Sequence, residues 1–134
     1  MARRSEALER IAEYEVERYG CGVPVDLMAI ARAHRAVVEE LPLRGPLDGA
    51  AIPMPEAPGW HLIVVNAHQH PVRKRFTIAH ELAHVMLHLT PLAFGRGRMR
   101  AVSIEWEANR LAAGLLMPRS AVRRAVEDLG PDVT

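Results

Sequence analysis

The sequence predicts an α+β fold, and three observations carry that prediction. Apolar residues recur at helical spacing towards both ends of the chain. Three short runs of strand character sit together between them. No helix-length segment separates one strand from the next, as alternating βαβ units would require. The element order read along the chain is α-α-β-β-β-α-α-α.

Residues 5–19 form the first helix, since Leu8, Ile11, Ala12 and Tyr19 share helical spacing and Gly20 is a natural stop. Asp26 caps a second helix over 27–35. Val37-Val38-Glu39-Glu40-Leu41 reads as a strand closed by Pro42. The Pro- and Gly-rich stretch 42–58 holds one short strand at Ala50-Ala51-Ile52 between loops. Residues 60–66, from Trp60 to Asn66, are the strongest strand, β-branched and bounded by Gly59. Pro71 opens a third helix, 71–89, at a position where its missing N–H is not needed. Ser103 caps a fourth over 104–116. Pro118 opens a last helix that runs to Leu129 and stops at Gly130-Pro131.

At 134 residues the chain suits one domain, 1–134. Its 49% hydrophobic share supports a core, and with 4% aromatics that core must be built from aliphatic side chains. A formal charge of +1 gives no electrostatic case for nucleic acid or an anionic membrane. The arginines of 96–100 and 119–124 read as a solvated loop and a solvated helix face. Cys21 is the single cysteine, which excludes an internal disulfide and a Cys-type zinc cluster. Nothing near it suggests a base that would make it a nucleophile. The chain has no secretory h-region and no run of 18 apolar residues, so the expectation is a cytoplasmic protein without a membrane partner.

The chemistry concentrates in His80-Glu81-Leu82-Ala83-His84. On a helix, a separation of four residues is about 6 Å of rise and about 40° of turn, so both imidazoles leave one face. Two such nitrogens can bind one zinc at about 2.0–2.1 Å each. Glu81 then lies beside the metal, where a carboxylate can take a proton from water. Ligand type makes zinc the default ion, with manganese the alternative. Such a short motif has a chance expectation of about 0.03 in this composition, so its setting matters. On a helical wheel Ile78, Leu82, Val85, Met86, Leu87 and Leu89 cover a broad arc, and Thr77, His80, Glu81, His84 and His88 fill a narrow one. A solvated stripe would carry Lys, Glu and Arg, whereas this one carries three histidines and a carboxylate. His88 reads as an outer support of the site or a solvent-facing residue rather than a ligand.

A catalytic zinc site needs a third protein ligand and an open position. The fourth helix offers Glu105 and Glu107, which point about 200° apart, so only one can face the metal. Glu105 flanks the apolar side made by Ile104, Ala108, Leu111, Ala112 and Leu115, and it is the preferred ligand. Glu107 reads as a first-turn carboxylate favoured by the helix dipole. Asn109, one turn after Glu105, is either an orienting hydrogen-bond partner for a ligand or an ordinary polar residue in mid-helix.

Three segments resemble the ImmA/IrrE-type metallopeptidases: Arg75 to His84, Glu105 to Ala112, and Leu115-Leu116-Met117-Pro118. The resemblance covers about residues 72–118, with Ala83 standing where the family often has Gly. It implies a zincin-like fold, with a small twisted three-stranded sheet packed on the HExxH helix. It implies His80 and His84 as ligands, Glu81 as general base, and a glutamate of the fourth helix as third ligand. The family's Glu-x-x-Ala-Asn pattern starts at Glu105, in agreement with the wheel. Its members typically cleave helix-turn-helix repressors of prophages, mobile elements or stress regulons. The implied function is therefore a zinc-dependent endopeptidase. In a chain this short, the expected substrate is a separate repressor, with no direct nucleic-acid contact.

Two features of substrate handling stay open at this level. The strand 60–66 is either the edge that pairs with an extended substrate or a core strand. His61, His68 and His70 are the candidate oxyanion donors, though loop or surface roles suit each of them better. The rival function is a non-catalytic binding module that holds a repressor partner. Glu81 counts against it, because a pure binder has no need of that carboxylate.

Overall fold

The elements form in the predicted order: α1 (Ala2–Tyr19), α2 (Leu27–Ala33), β1 (Ala36–Leu41), β2 (Gly49–Pro53), β3 (His61–Asn66), α3 (Pro71–Leu87), α4 (Ala101–Leu116) and α5 (Arg119–Leu129). This computed structural model describes residues 2–22, 24–89 and 101–129. The basic loop at Arg96, Arg98 and Arg100 and the stop at Gly130-Pro131 lie outside the described residues.

Local chemistry accounts for most boundaries. Asp26 caps α2 by accepting the Ala29 N–H at 3.0 Å. Pro71 starts α3, and the His70 ring nitrogen Nδ1 accepts the Val72 N–H at 3.2 Å. His70 is thus a helix cap rather than an oxyanion donor. α3 ends at Leu87, two residues earlier than predicted, with His88 as its C-cap. α4 begins three residues before the predicted start, so Ser103 lies inside the helix and caps nothing. Glu107 consequently falls beyond the first turn, and a dipole does not explain it.

The sheet is mixed, in the order β1-β3-β2. β1 runs parallel to β3, from Ala36↔His61 to Leu41↔Asn66, and β2 runs antiparallel to it, from Gly49↔Val65 to Pro53↔His61. β3 is therefore paired on both sides. The reading of 60–66 as a free edge is overturned, and the core-strand reading stands. Ile63 and Val65 are fully buried and Val64 nearly so, as an apolar run covered on both faces requires. β2 is an edge strand, where Pro53 interrupts no ladder.

One apolar cluster joins Leu8, Ala12 and Val16 of α1, Ile30 of α2, Ile63 and Val65 of β3, Leu82 and Val85 of α3, and Leu111 and Leu115 of α4. α3 packs on β2, β3 and α4, and α4 packs in turn on α1. At the last contact the helices come very close: a Cβ on Gly114 would lie 2.8 Å from Ala12 Cβ. Overpacking of this kind costs about 1–3 kcal/mol, and the helix propensity gained by alanine returns at most about 1. Gly114→Ala should therefore lower the denaturation midpoint modestly. A more stable variant would show that the two helices can separate freely.

Asn66, buried at the end of β3, holds the loop before β2. Its Oδ1 accepts the N–H groups of Leu43 at 3.3 Å and His68 at 3.1 Å, and its Nδ2 donates to Leu47 O at 3.1 Å. Residues 43–48 are thereby fixed alongside α3. Among the described residues no helix is long and apolar enough to cross a membrane.

Candidate active site

α3 buries Ile78, Ala79, Leu82, Ala83 and Val85 and leaves His80, Glu81, His84 and His88 half-buried along its remaining stripe. Thr77, which the wheel grouped with that stripe, is buried and donates its hydroxyl to Gln69 Oε1 at 3.1 Å. It belongs to the scaffold.

The packing of α4 on α3 brings three donor groups to one point. His80 Nε2 and His84 Nε2 are 3.2 Å apart. Glu105 reaches both with its carboxylate, Oε2 at 3.2 Å from His80 Nε2 and Oε1 at 3.0 Å from His84 Nε2. Asn109 Oδ1 lies 2.8 Å from His80 Nδ1 and accepts that N–H, which leaves Nε2 with its lone pair facing the cluster. On its other side the His80 ring stacks on Phe76, with centroids 6.0 Å apart. Glu105 and Glu107 diverge as their spacing requires: Glu107 is buried and meets His88, with Oε1 3.0 Å from His88 Nε2.

Burial shifts two of these groups. It pushes the Glu81 carboxyl up from the usual carboxylate range. Nearby His80 opposes the shift and Glu105 adds to it. Burial also lowers the His84 imidazole, Glu105 partly opposing it and the neighbouring histidines reinforcing it. A histidine held neutral keeps the lone pair that ligation needs. A carboxylate with a raised pKa is a better proton acceptor once ionised.

A cleft of about 330 Å³ opens beside His80 and Glu81, walled by Leu47, Asp48 and Gly49 on one side and by Arg73 and Phe76 on the other. Arg73 pairs with Asp48 at 2.8 Å across it. A slightly larger cavity of about 360 Å³ between α1, α4 and α5 contains none of the converging donors, so size does not mark the reactive place. His61, His68 and His70 do not line the cleft. Phe76 was within reach of sequence reasoning, four residues before His80 on the same helix. The Asp48–Arg73 pair was not, because its partners come together only when β2 docks on α3. Cys21 is exposed, and its Sγ lies 3.4 Å from Glu17 O, with no base among its contacts there.

Residues 48–134 match the model of the IrrE N-terminal-like domain, peptidase family M78. The chain belongs to that family. Two curated relatives are each named radiation response metalloprotease IrrE. The one from Deinococcus deserti is 31% identical over 121 residues, 84% of this chain and 41% of that protein. The one from Deinococcus radiodurans is 35% identical over 81 residues, 55% of this chain and 24% of that protein. This IrrE-like chain thus spans less than half the length of the relatives it matches. The family resemblance read from the motifs holds, and so do the α+β class and the small three-stranded sheet beside the motif helix.

Proposed function

We propose that the chain, acting over 1–134 as one catalytic domain, is a cytoplasmic zinc-dependent endopeptidase that cleaves a separate helix-turn-helix repressor. His80, His84 and Glu105 hold the metal, Glu81 is the general base, and Asn109 orients His80. One observation carries the site: two imidazole nitrogens and a carboxylate lie at mutual distances of 3.0–3.2 Å. Three donors each about 2.0–2.1 Å from one tetrahedral zinc would stand about 3.3 Å apart, so this set fits the ion with little movement. The metallopeptidase family and the metalloprotease relatives support the reaction class.

A metal held by His80, His84 and Glu105 would supply Lewis-acid polarisation of the scissile carbonyl and make a nearby water more acidic. Glu81 stands outside the donor cluster and borders the cleft. Its carboxylate takes the proton of the attacking water and returns it to the leaving amine. β2, paired on one side among the described residues, offers its edge to an extended substrate segment. Its first residue, Gly49, borders the same cleft as Glu81.

The test is to measure the metal bound by the purified chain, with zinc and manganese compared, and to incubate it with the repressor encoded nearest its gene. Cleavage of that repressor is expected. Bound metal without cleavage would favour the binding module, and no bound metal would sink the site. Asn109→Ala should weaken zinc about 10–100-fold in a chelator competition while the fold persists. Unchanged affinity would make Asn109 a mere surface residue.

A further inference from the structure

We infer that His88 and Glu107 are positioning residues that fix which nitrogen His84 offers to the metal. The inference rests on the metal-site reading above and extends it to residues that reading does not use. His84 Nδ1 lies 3.2 Å from His88 Nδ1. His88 Nε2 lies 3.0 Å from Glu107 Oε1, and Glu107 Oε2 lies 3.0 Å from Arg4 Nε. The side chains of His88 and Glu107 are 7% and 4% exposed. One hydrogen-bonded chain therefore runs from a ligand on α3 through α4 to α1.

Proton accounting gives this chain a direction. A neutral imidazole carries one N–H, and the nitrogen without it is the one that can bind metal. His84 turns Nε2 to the donor cluster, so its proton must sit on Nδ1 and needs an acceptor. The only atom His88 offers there is Nδ1, which accepts only when the His88 proton sits on Nε2. Glu107, having no proton to give when ionised, holds it there. A carboxylate this buried is costly to keep ionised alone, and the Arg4 guanidinium supplies the counter-charge. Reverse the last link and the whole chain reverses: His88 donates from Nδ1, the His84 proton moves to Nε2, and the ligand lone pair is lost. His80 reaches the same end in one step through Asn109 Oδ1. His84 has two steps because His88, one turn on along α3, stands between it and the carboxylate. Outer partners that orient metal-bound histidines are usually carboxylates or carbonyls. Here a second histidine carries the carboxylate's influence to the ligand.

The experiment compares wild type with Glu107→Gln, an isosteric change that can present an N–H to His88. Zinc affinity is read by chelator competition, the ligand field by the visible absorption of the Co²⁺-substituted protein, and the fold by the melting temperature of the metal-free form. Wild type should bind zinc, and Glu107→Gln should bind it about 10–100-fold more weakly with an altered Co²⁺ spectrum. A purely structural ion pair would lower the melting temperature and leave affinity and spectrum alone, and that result would overturn the inference. If Glu107→Gln does not fold, Arg4→Gln is read in the same way, since the Arg4 side chain is 36% exposed and lies outside the apolar core cluster. Weaker zinc binding then supports the chain, and unchanged binding overturns it. A wild-type protein that binds no zinc would fail the site itself, a result distinct from either.

Discussion

Glu81→Gln is expected to abolish peptide hydrolysis and leave the metal in place. The carboxylate contributes no atom to the cluster of His80, His84 and Glu105, so the donors survive its replacement. Glutamine keeps the size of the side chain and loses the basic oxygen. General-base assistance is worth about 10²–10⁴ in rate, so cleavage should fall by about three orders of magnitude. Cleavage rate and zinc content, measured on the same preparation, check both halves of the statement. Loss of zinc from Glu81→Gln would mean that the carboxylate is a ligand. The pH behaviour follows from the raised carboxyl. Hydrolysis needs Glu81 ionised, so its rate should rise with pH through a value displaced upward by burial, less so once a cation is bound nearby. In the metal-free protein the sign concerns stability. A carboxyl raised in the folded state contributes stability below its unfolded pKa, and that contribution is lost as pH rises through the folded value. Metal-free Glu81→Gln should therefore lose less stability than wild type as pH rises above the ordinary Glu value of about 4.3.

The reach of sequence reasoning divides along local and non-local lines. Capping by Asp26, the Pro71 start and the apolar arc of α3 are set by neighbours within a turn or two, and each element formed at or near its predicted place. The convergence of His80, His84 and Glu105 was legible for the same reason, because two helical faces and one packing contact define it. Strand order was not. The composition of β3 fits an edge or a centre equally, and only the return of β2 on one side and β1 on the other decides between them. Glu107 was misread because α4 starts earlier than Ser103 suggested, and because its partners lie on α3 and α1. The cleft walls at Asp48 and Arg73 escaped for the same reason.

Gly49→Ala should cost more stability than Gly114→Ala or Gly45→Ala. Gly49 opens β2 opposite Val65. A Cβ there would stand 2.5 Å from Val64 O and 2.7 Å from Thr77 Cγ2. The first contact is with backbone in a paired strand and cannot turn away without moving β3. The second could yield only by rotating Thr77, which would break its hydroxyl bond to Gln69. By contrast Gly114 meets only the Ala12 methyl. Gly45, at φ +75 with nothing within 4 Å, costs an alanine only the left-handed backbone, about 1 kcal/mol. Alanine would otherwise stabilise by about 0.4–1 kcal/mol through the unfolded chain. The clash must exceed that gain, and a net loss of about 3 kcal/mol is expected for Gly49→Ala. Measured against a typical total of about 5–15 kcal/mol, this is a large fraction. Denaturant midpoints for the three variants, compared side by side, test the ranking. A Gly49→Ala protein as stable as wild type would show that β2 does not sit this tightly on α3. The same contact has a functional side, because Gly49 borders the cleft and Thr77 precedes His80 by less than one turn. Any repacking that admits the methyl must move β2 relative to the motif helix while α4 still delivers Glu105. Hydrolysis should therefore fall further than zinc affinity in Gly49→Ala. An equal loss of both would place the damage in the donor cluster instead of the cleft.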